Sequence, residues 1–153
     1  MGAEIETEAE RVRAIAGELA GQEGPLLPIL HALNERLGHV PEPAIPILAE
    51  LLNISRAEVH GVVSFYHDFR RTPAGRHTVK VCCAESCQSM GSDRLVAELT
   101  AALGIALGGT TPDGRVTLEP VYCLGLCAMS PAAMVDGQPV GRADVSLLAE
   151  LGR

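Results

Sequence analysis

The chain has no tryptophan and only four aromatic residues, two Tyr and two Phe, among its 153 residues. It is also short of basic charge: 12 Lys and Arg stand against 19 Asp and Glu, a net charge of −7. That speaks against a general nucleic-acid binder, which gathers Lys and Arg on one face to meet phosphates. An acidic balance alone specifies no partner. No run approaches the ~20 consecutive apolar residues of a bilayer span, so direct membrane insertion is not expected. The opening stretch MGAEIETEAERVRAIAG is acidic and has no apolar h-region. No secretory signal is read there, and a cytoplasmic location is expected. Nucleotide fingerprints are missing too. GIALGGTTPDG has glycines, but neither the spacing nor the place after a strand that a dinucleotide-binding turn needs. No Ser, His and Asp constellation can be assembled, so acid–base catalysis by this chain alone is not expected.

What is present is enough apolar residue, 47%, for a packed core. The length suits one ordinary domain or two small ones. The first seventy residues read as helices. Val12, Ile15, Ala16 and Leu19 follow helical spacing in EAERVRAIAGELAG. In GPLLPILHALNERLG, Leu26, Ile29, Leu30, Leu33 and Leu37 form one stripe, with Pro25 and Pro28 in a first turn and Gly38 as the stop. PEPAIPILAELLN gives a third helix ending near Asn53. Ser55 three before Glu58 is a capping-box pattern. It opens a fourth helix with Val59, Val62, Val63 and Tyr66 as its buried face. Phe65, Tyr66 and Phe69 are three of the four aromatics. They suit either a core between the halves or an interface. His60 and His67 share a face if the fourth helix extends that far, but the i, i+7 spacing is not that of a two-His metal site.

RRTPAGR (70–76) is the expected boundary, giving domains 1–72 and 73–153. Beyond it the pattern changes. HTVKVCC and VTLEPVYC read as strands. SDRLVAELTAALG reads as a helix, with Ser92 as its cap and Leu95, Val96, Leu99 and Leu103 inward. AAMVDGQPV reads as a hairpin with Asp136-Gly137 at its tip, and ADVSLLAELG as a closing helix. That order suits a small α/β layer.

The cysteines carry the chemistry. Four of the five fall into two pairs, Cys82-x4-Cys87 and Cys123-x3-Cys127. Each pair starts at the end of a predicted strand and runs into the following loop. Two neighbouring strands would bring the loops together and deliver four thiolates to one place. Clustered cysteines in a reducing compartment bind metal or do redox work more often than they form disulfides, and an odd count spoils a complete disulfide framework. The thioredoxin dithiol Cys-x-x-Cys is absent. So is the plant-type ferredoxin run Cys-x4-Cys-x2-Cys, because position 90 is Met. The spacing permits structural zinc. It equally suits a [2Fe–2S] cluster, which needs two thiolates on each of two irons. Gly91 and Gly125 allow tight loops whose amides turn towards sulfur. Met90, Leu124, Leu126 and Met129 are expected to screen the site from water. Glu85 is expected to face water, since a carboxylate beside a negative centre is repelled unless solvated. Cys83, next to Cys82 on a strand, points to the opposite face and reads as a small buried thiol.

The two cysteine motifs, with YCLGLC and the helical stretch LLPILHALNERLGHVPEPAIPILAELLNISRAEVHGVVSFYHDF, resemble the thioredoxin-like [2Fe–2S] subunit family of respiratory complex I over residues 25–150. Within that family CCAESCQSMG is most similar to the gamma subunit of NAD-dependent, molybdenum-containing formate dehydrogenase. Complex I and bidirectional NAD-reducing hydrogenase subunits are the near neighbours. The resemblance implies a mixed α+β and α/β chain: an N-terminal helical bundle followed by a thioredoxin-like [2Fe–2S] ferredoxin domain. It implies one cluster on Cys82, Cys87, Cys123 and Cys127, with Cys83 outside the ligand set. It also implies docking onto a flavoprotein subunit that carries FMN and NAD, and a further iron–sulfur or molybdenum catalytic subunit. A free-standing ferredoxin and a zinc-stabilised interaction module are the other readings.

Overall fold

The structure is a computed structural model and describes residues 7–146. It divides into two compact units, Met1–Pro73 and Ala74–Arg153.

The first unit is helical: α1 (Glu8–Leu19), α2 (Leu26–Leu37), α3 (Ala44–Leu52) and α4 (Arg56–Phe65). Local chemistry sets the ends. Thr7 and Glu10 form a capping box at α1, and Ser55 and Glu58 form another at α4. In each, the hydroxyl accepts an otherwise unpaired amide hydrogen, and the glutamate accepts one from the cap residue. Gly38 and Asn53 close α2 and α3 in the left-handed conformation. Val12, Ile15, Ile29, Leu30, Leu33, Leu48, Val59 and Val63 make one core. Phe69 joins that core and meets the His31 ring edge-on at 5.0 Å. The fourth helix is shorter than the pattern suggested. It stops at Phe65, so Tyr66 turns out as a cap with extended backbone and is 42% exposed rather than buried. Phe65 is 74% exposed. The three aromatics therefore divide, one in the core and two in solvent, and His67 lies off the helix that carries His60.

The second unit holds β1 (His77–Cys82), α5 (Glu85–Ser89), α6 (Ser92–Leu103), β2 (Val116–Val121), a 3-10 turn (Cys127–Met129), β3 (Ala132–Val135) and β4 (Gln138–Gly141). The strands form one sheet in the order β2-β1-β3-β4. β1 and β2 are parallel, from His77 beside Val116 to Cys82 beside Val121. A parallel pair needs a crossover, and α6 supplies it. β3 runs antiparallel to β1, and β4 antiparallel to β3. The β3–β4 turn is Asp136-Gly137, both with positive φ (49° and 81°), the geometry of a two-residue hairpin turn. Leu95 and Leu99 of α6 pack on Val79, Val81, Val116 and Leu118. Two expectations fail locally. The cap of α6 is Gly91 at φ 96°, and Ser92 is the first helical residue, with its hydroxyl turned instead to β1. The short helix α5 was not foreseen. The closing helix read over 143–152 falls largely outside the described residues.

Candidate metal centre

Parallel pairing is what gathers the cysteines. β1 and β2 end side by side, so the chain leaves both strands at the same edge. Cys82 is the last residue of β1, and Cys123 follows β2 by two positions. Cys87 sits within α5, not in an open loop as the spacing suggested, and Cys127 opens the 3-10 turn. Cys82 and Cys87 are buried against Ala132, whereas Cys123 and Cys127 are exposed. The centre therefore has an inner pair and an outer pair.

The sulfurs are held by polar groups. Burial pushes the Cys82 thiol up, but amide hydrogens of Ala84, Cys123 and Leu124 and the Cys87 thiol point at its sulfur, and the net direction is down. Two of those amides come from the second loop, which folds over the sulfur of the first. The Gly125 amide donates to the Cys123 sulfur at 3.4 Å, as expected of that glycine. Gly91 does not act in this way, since its amide donates to the Gln88 carbonyl. Cys127 is pushed up by its hydrogen bond and charge repulsion with Cys123, then by burial and by Cys87 and Cys82. Cysteine binds metal as the thiolate, so metal uptake at this centre would release protons.

Among the described residues no three His, Cys, Asp or Glu side chains are grouped to hold one metal ion. Cys82 has Cys87 beside it and Cys127 has Cys123, and the charges of Cys87 and Cys82 also reach Cys127. Two pairs of thiolates are what two irons require, whereas mononuclear zinc takes four ligands at one point. The donor set thus fits a binuclear iron–sulfur cluster.

Three serines that the motifs did not reveal join the loops to the scaffold. Ser92, fully buried, donates to the Cys82 carbonyl at 2.7 Å. Ser130, also buried, donates to the Cys127 carbonyl at 2.8 Å and lies 3.4 Å from the Cys87 sulfur. Ser86 reaches the Ser130 hydroxyl at 3.2 Å. Apart from Ser130 on the neighbouring Cys127 carbonyl, these contacts join residues 10 to 44 apart in sequence, so spacing gave no signal of them. Leu124 and Leu126 pack against the inner cysteines as expected. Met90 and Met129 do not screen the site, being 60% and 45% exposed. Glu85 faces solvent, as foreseen. Cys83 is half-buried, its thiol donates to the Val81 carbonyl at 3.4 Å, and burial followed by the charge of Cys82 pushes it up.

An all-cysteine donor set on paired loops beside a mixed sheet is the kind of site that soft metals and iron–sulfur clusters occupy. A sequence profile of the thioredoxin-like [2Fe–2S] ferredoxins matches residues 12–151, and the chain belongs to that family. Membership implies one [2Fe–2S] cluster. A subunit of the NADH-quinone oxidoreductase of Pseudomonas aeruginosa is 41% identical over 138 residues, covering 88% of this chain and 82% of the relative. The NADP-reducing hydrogenase subunit HndA of Solidesulfovibrio fructosivorans is 34% identical over 123 residues, 80% of this chain and 72% of the relative. Among solved structures, an air-oxidised NAD+-reducing [NiFe]-hydrogenase superposes with a TM-score of 0.69 at 28% identity. That match covers 82% of this chain but only 22% of the hydrogenase chain.

Proposed function

We propose that this chain is the electron-transfer subunit of an NAD-dependent oxidoreductase complex in the cytoplasm. Cys82, Cys87, Cys123 and Cys127 hold its cluster, and single electrons pass between that cluster and the FMN of a flavoprotein subunit that also binds NAD. Residues 1–72 form the helical domain and 73–153 the cluster domain. The observation that carries the reading is the convergence of two cysteine pairs at one edge of the parallel β1–β2 pair, with amides of the second loop on the sulfur of the first. The cluster supplies a one-electron store. This chain's residues anchor it, and their amides partly offset its negative charge.

For the parent enzyme we propose the gamma subunit of an NAD-dependent formate dehydrogenase, whose iron–sulfur and molybdenum catalytic subunit would be a further partner. This rests on the CCAESCQSMG stretch alone. The names of the relatives support a second reading, the equivalent subunit of complex I or of an NAD-reducing hydrogenase.

The test begins with anaerobically purified protein. Iron and acid-labile sulfide in equal amounts, with a visible spectrum bleached by dithionite, are expected. Replacing Cys87 or Cys123 by Ser is expected to weaken or abolish that spectrum. An unchanged spectrum in both variants would remove them from the ligand set, and a colourless wild type holding zinc would favour the interaction module. Copurified flavoprotein, assayed for NAD reduction by formate and by hydrogen and for NADH-driven quinone reduction, separates the parent enzymes.

A further inference from the structure

We propose that Ser130 tunes the cluster's reduction potential by turning its hydroxyl hydrogen from the Cys127 carbonyl to the Cys87 sulfur when that sulfur binds iron. The inference rests on Cys87 being a ligand.

Ser130 has one hydroxyl hydrogen and three neighbours within reach. These are the Cys127 carbonyl at 2.8 Å, the Cys87 sulfur at 3.4 Å and the Ser86 hydroxyl at 3.2 Å. While Cys87 is a thiol, its one hydrogen can serve the Ser130 oxygen or the Cys82 sulfur, and Ser130 donates to the carbonyl. A metal-bound Cys87 has lost its hydrogen and only accepts. Left as it was, the Ser130 oxygen would then present a lone pair to a negative sulfur in a buried place, which is unfavourable in a low dielectric. Rotation about the Cβ–Oγ bond removes the conflict.

The carbonyl that Ser130 leaves is already covered. The Ser130 amide lies 3.4 Å from it and the Ser86 hydroxyl 3.5 Å. The hydrogen of Ser130 is therefore the one that can be spared, and Ser86 is placed to take over.

A hydroxyl donor on a ligand sulfur favours the more negative state. Reduction adds one electron and breaks no bond, and the Ser130 hydrogen stays on its oxygen. The hydrogen bond strengthens on reduction, so the potential rises. Cys123 and Cys127 are exposed and have no such hydroxyl on their sulfurs among the described residues, so the effect belongs to the inner pair.

The test is a redox titration of the reconstituted chain, followed by visible and electron-paramagnetic-resonance spectra. Ser130→Ala is expected to keep the iron and sulfide content while lowering the one-electron reduction equilibrium constant about tenfold, which is about 59 mV. Ser130→Thr, which keeps the hydroxyl, is expected to restore the potential. Ser86→Ala touches no sulfur contact. It is expected to shift the potential in the same direction by less, because the Cys127 carbonyl then retains more of the Ser130 hydrogen. An unchanged or raised potential in an intact Ser130→Ala cluster would overturn the role of Ser130 and leave the cluster assignment standing. If Ser130→Ala assembles no cluster, Ser86→Ala decides: a lowered potential supports the proposal, an unchanged one overturns it. A wild type that takes up no iron and sulfide would overturn the cluster assignment and this proposal together.

Discussion

Gly141 has almost no room for a side chain. A Cβ built there would lie 2.6 Å from the Cβ and Cε of Met129, and the next amide, of Arg142, donates to the Met129 carbonyl. The end of β4 thus presses on the turn that carries Cys127. Gly141→Ala is expected to destabilise the second unit by about 1–3 kcal/mol, the usual range for overpacking, and to reduce cluster retention. Thermal melting and iron content check this. Asp136 gives a pH prediction. Its partial burial pushes the carboxyl up, but the bonds to His77 at 2.8 Å and to the Thr78 amide at 2.8 Å outweigh that, and the net direction is down. A carboxylate depressed in the folded state stabilises fully above its ordinary value, about 3.9, and loses that contribution as the pH falls through the folded value. Acid unfolding below about pH 4 should therefore be shallower in Asp136→Asn than in the wild type. Identical acid limbs would show that the hairpin tip contributes nothing.

Among the elements, those with local signals were legible. Ser55 and Glu58 announce the start of α4, and they form the capping box that the pattern suggested. Gly38 and Asn53 mark ends in the same way. Removing the cap hydroxyl by Ser55→Ala is expected to cost about 1 kcal/mol, measurable by denaturant titration. In α3, Leu48 is fully buried, and Leu48→Ala should cost about 2–5 kcal/mol. The features that escaped sequence reading lack local causes. Helix α5 has five residues, no side-chain cap and no room for an apolar stripe. Tyr66 follows helical spacing, but the helix has ended before it and nothing covers its ring fully. The four cysteines could be proposed as ligands from the sequence because ligand spacing is a local property. The serines that brace them were not, because Ser92 to Cys82 and Ser130 to Cys87 are contacts that only the fold creates.

At the scale of the molecule, two units with separate cores bear on the proposed assembly. The cluster unit has two exposed cysteines at its edge, beside Tyr122 at 75% exposure. A one-electron centre at the surface suits exchange with another protein. The proposed flavoprotein partner should therefore copurify, and electron flow from NADH to the cluster should be lost when it is stripped away. Reduction by NADH without any flavoprotein would contradict that assembly. The topology has a further consequence for biosynthesis. Cys82 and Cys87 leave the ribosome first, but two of the three amides that hold the Cys82 sulfur belong to Cys123 and Leu124, beyond the whole α6 crossover. A nascent chain displaying only the first motif has two of the four proposed ligand cysteines and an unbuilt sheet. With the proposed ligand set, cluster loading waits for translation to pass Cys127, and delivery systems would meet a nearly finished protein rather than an emerging one.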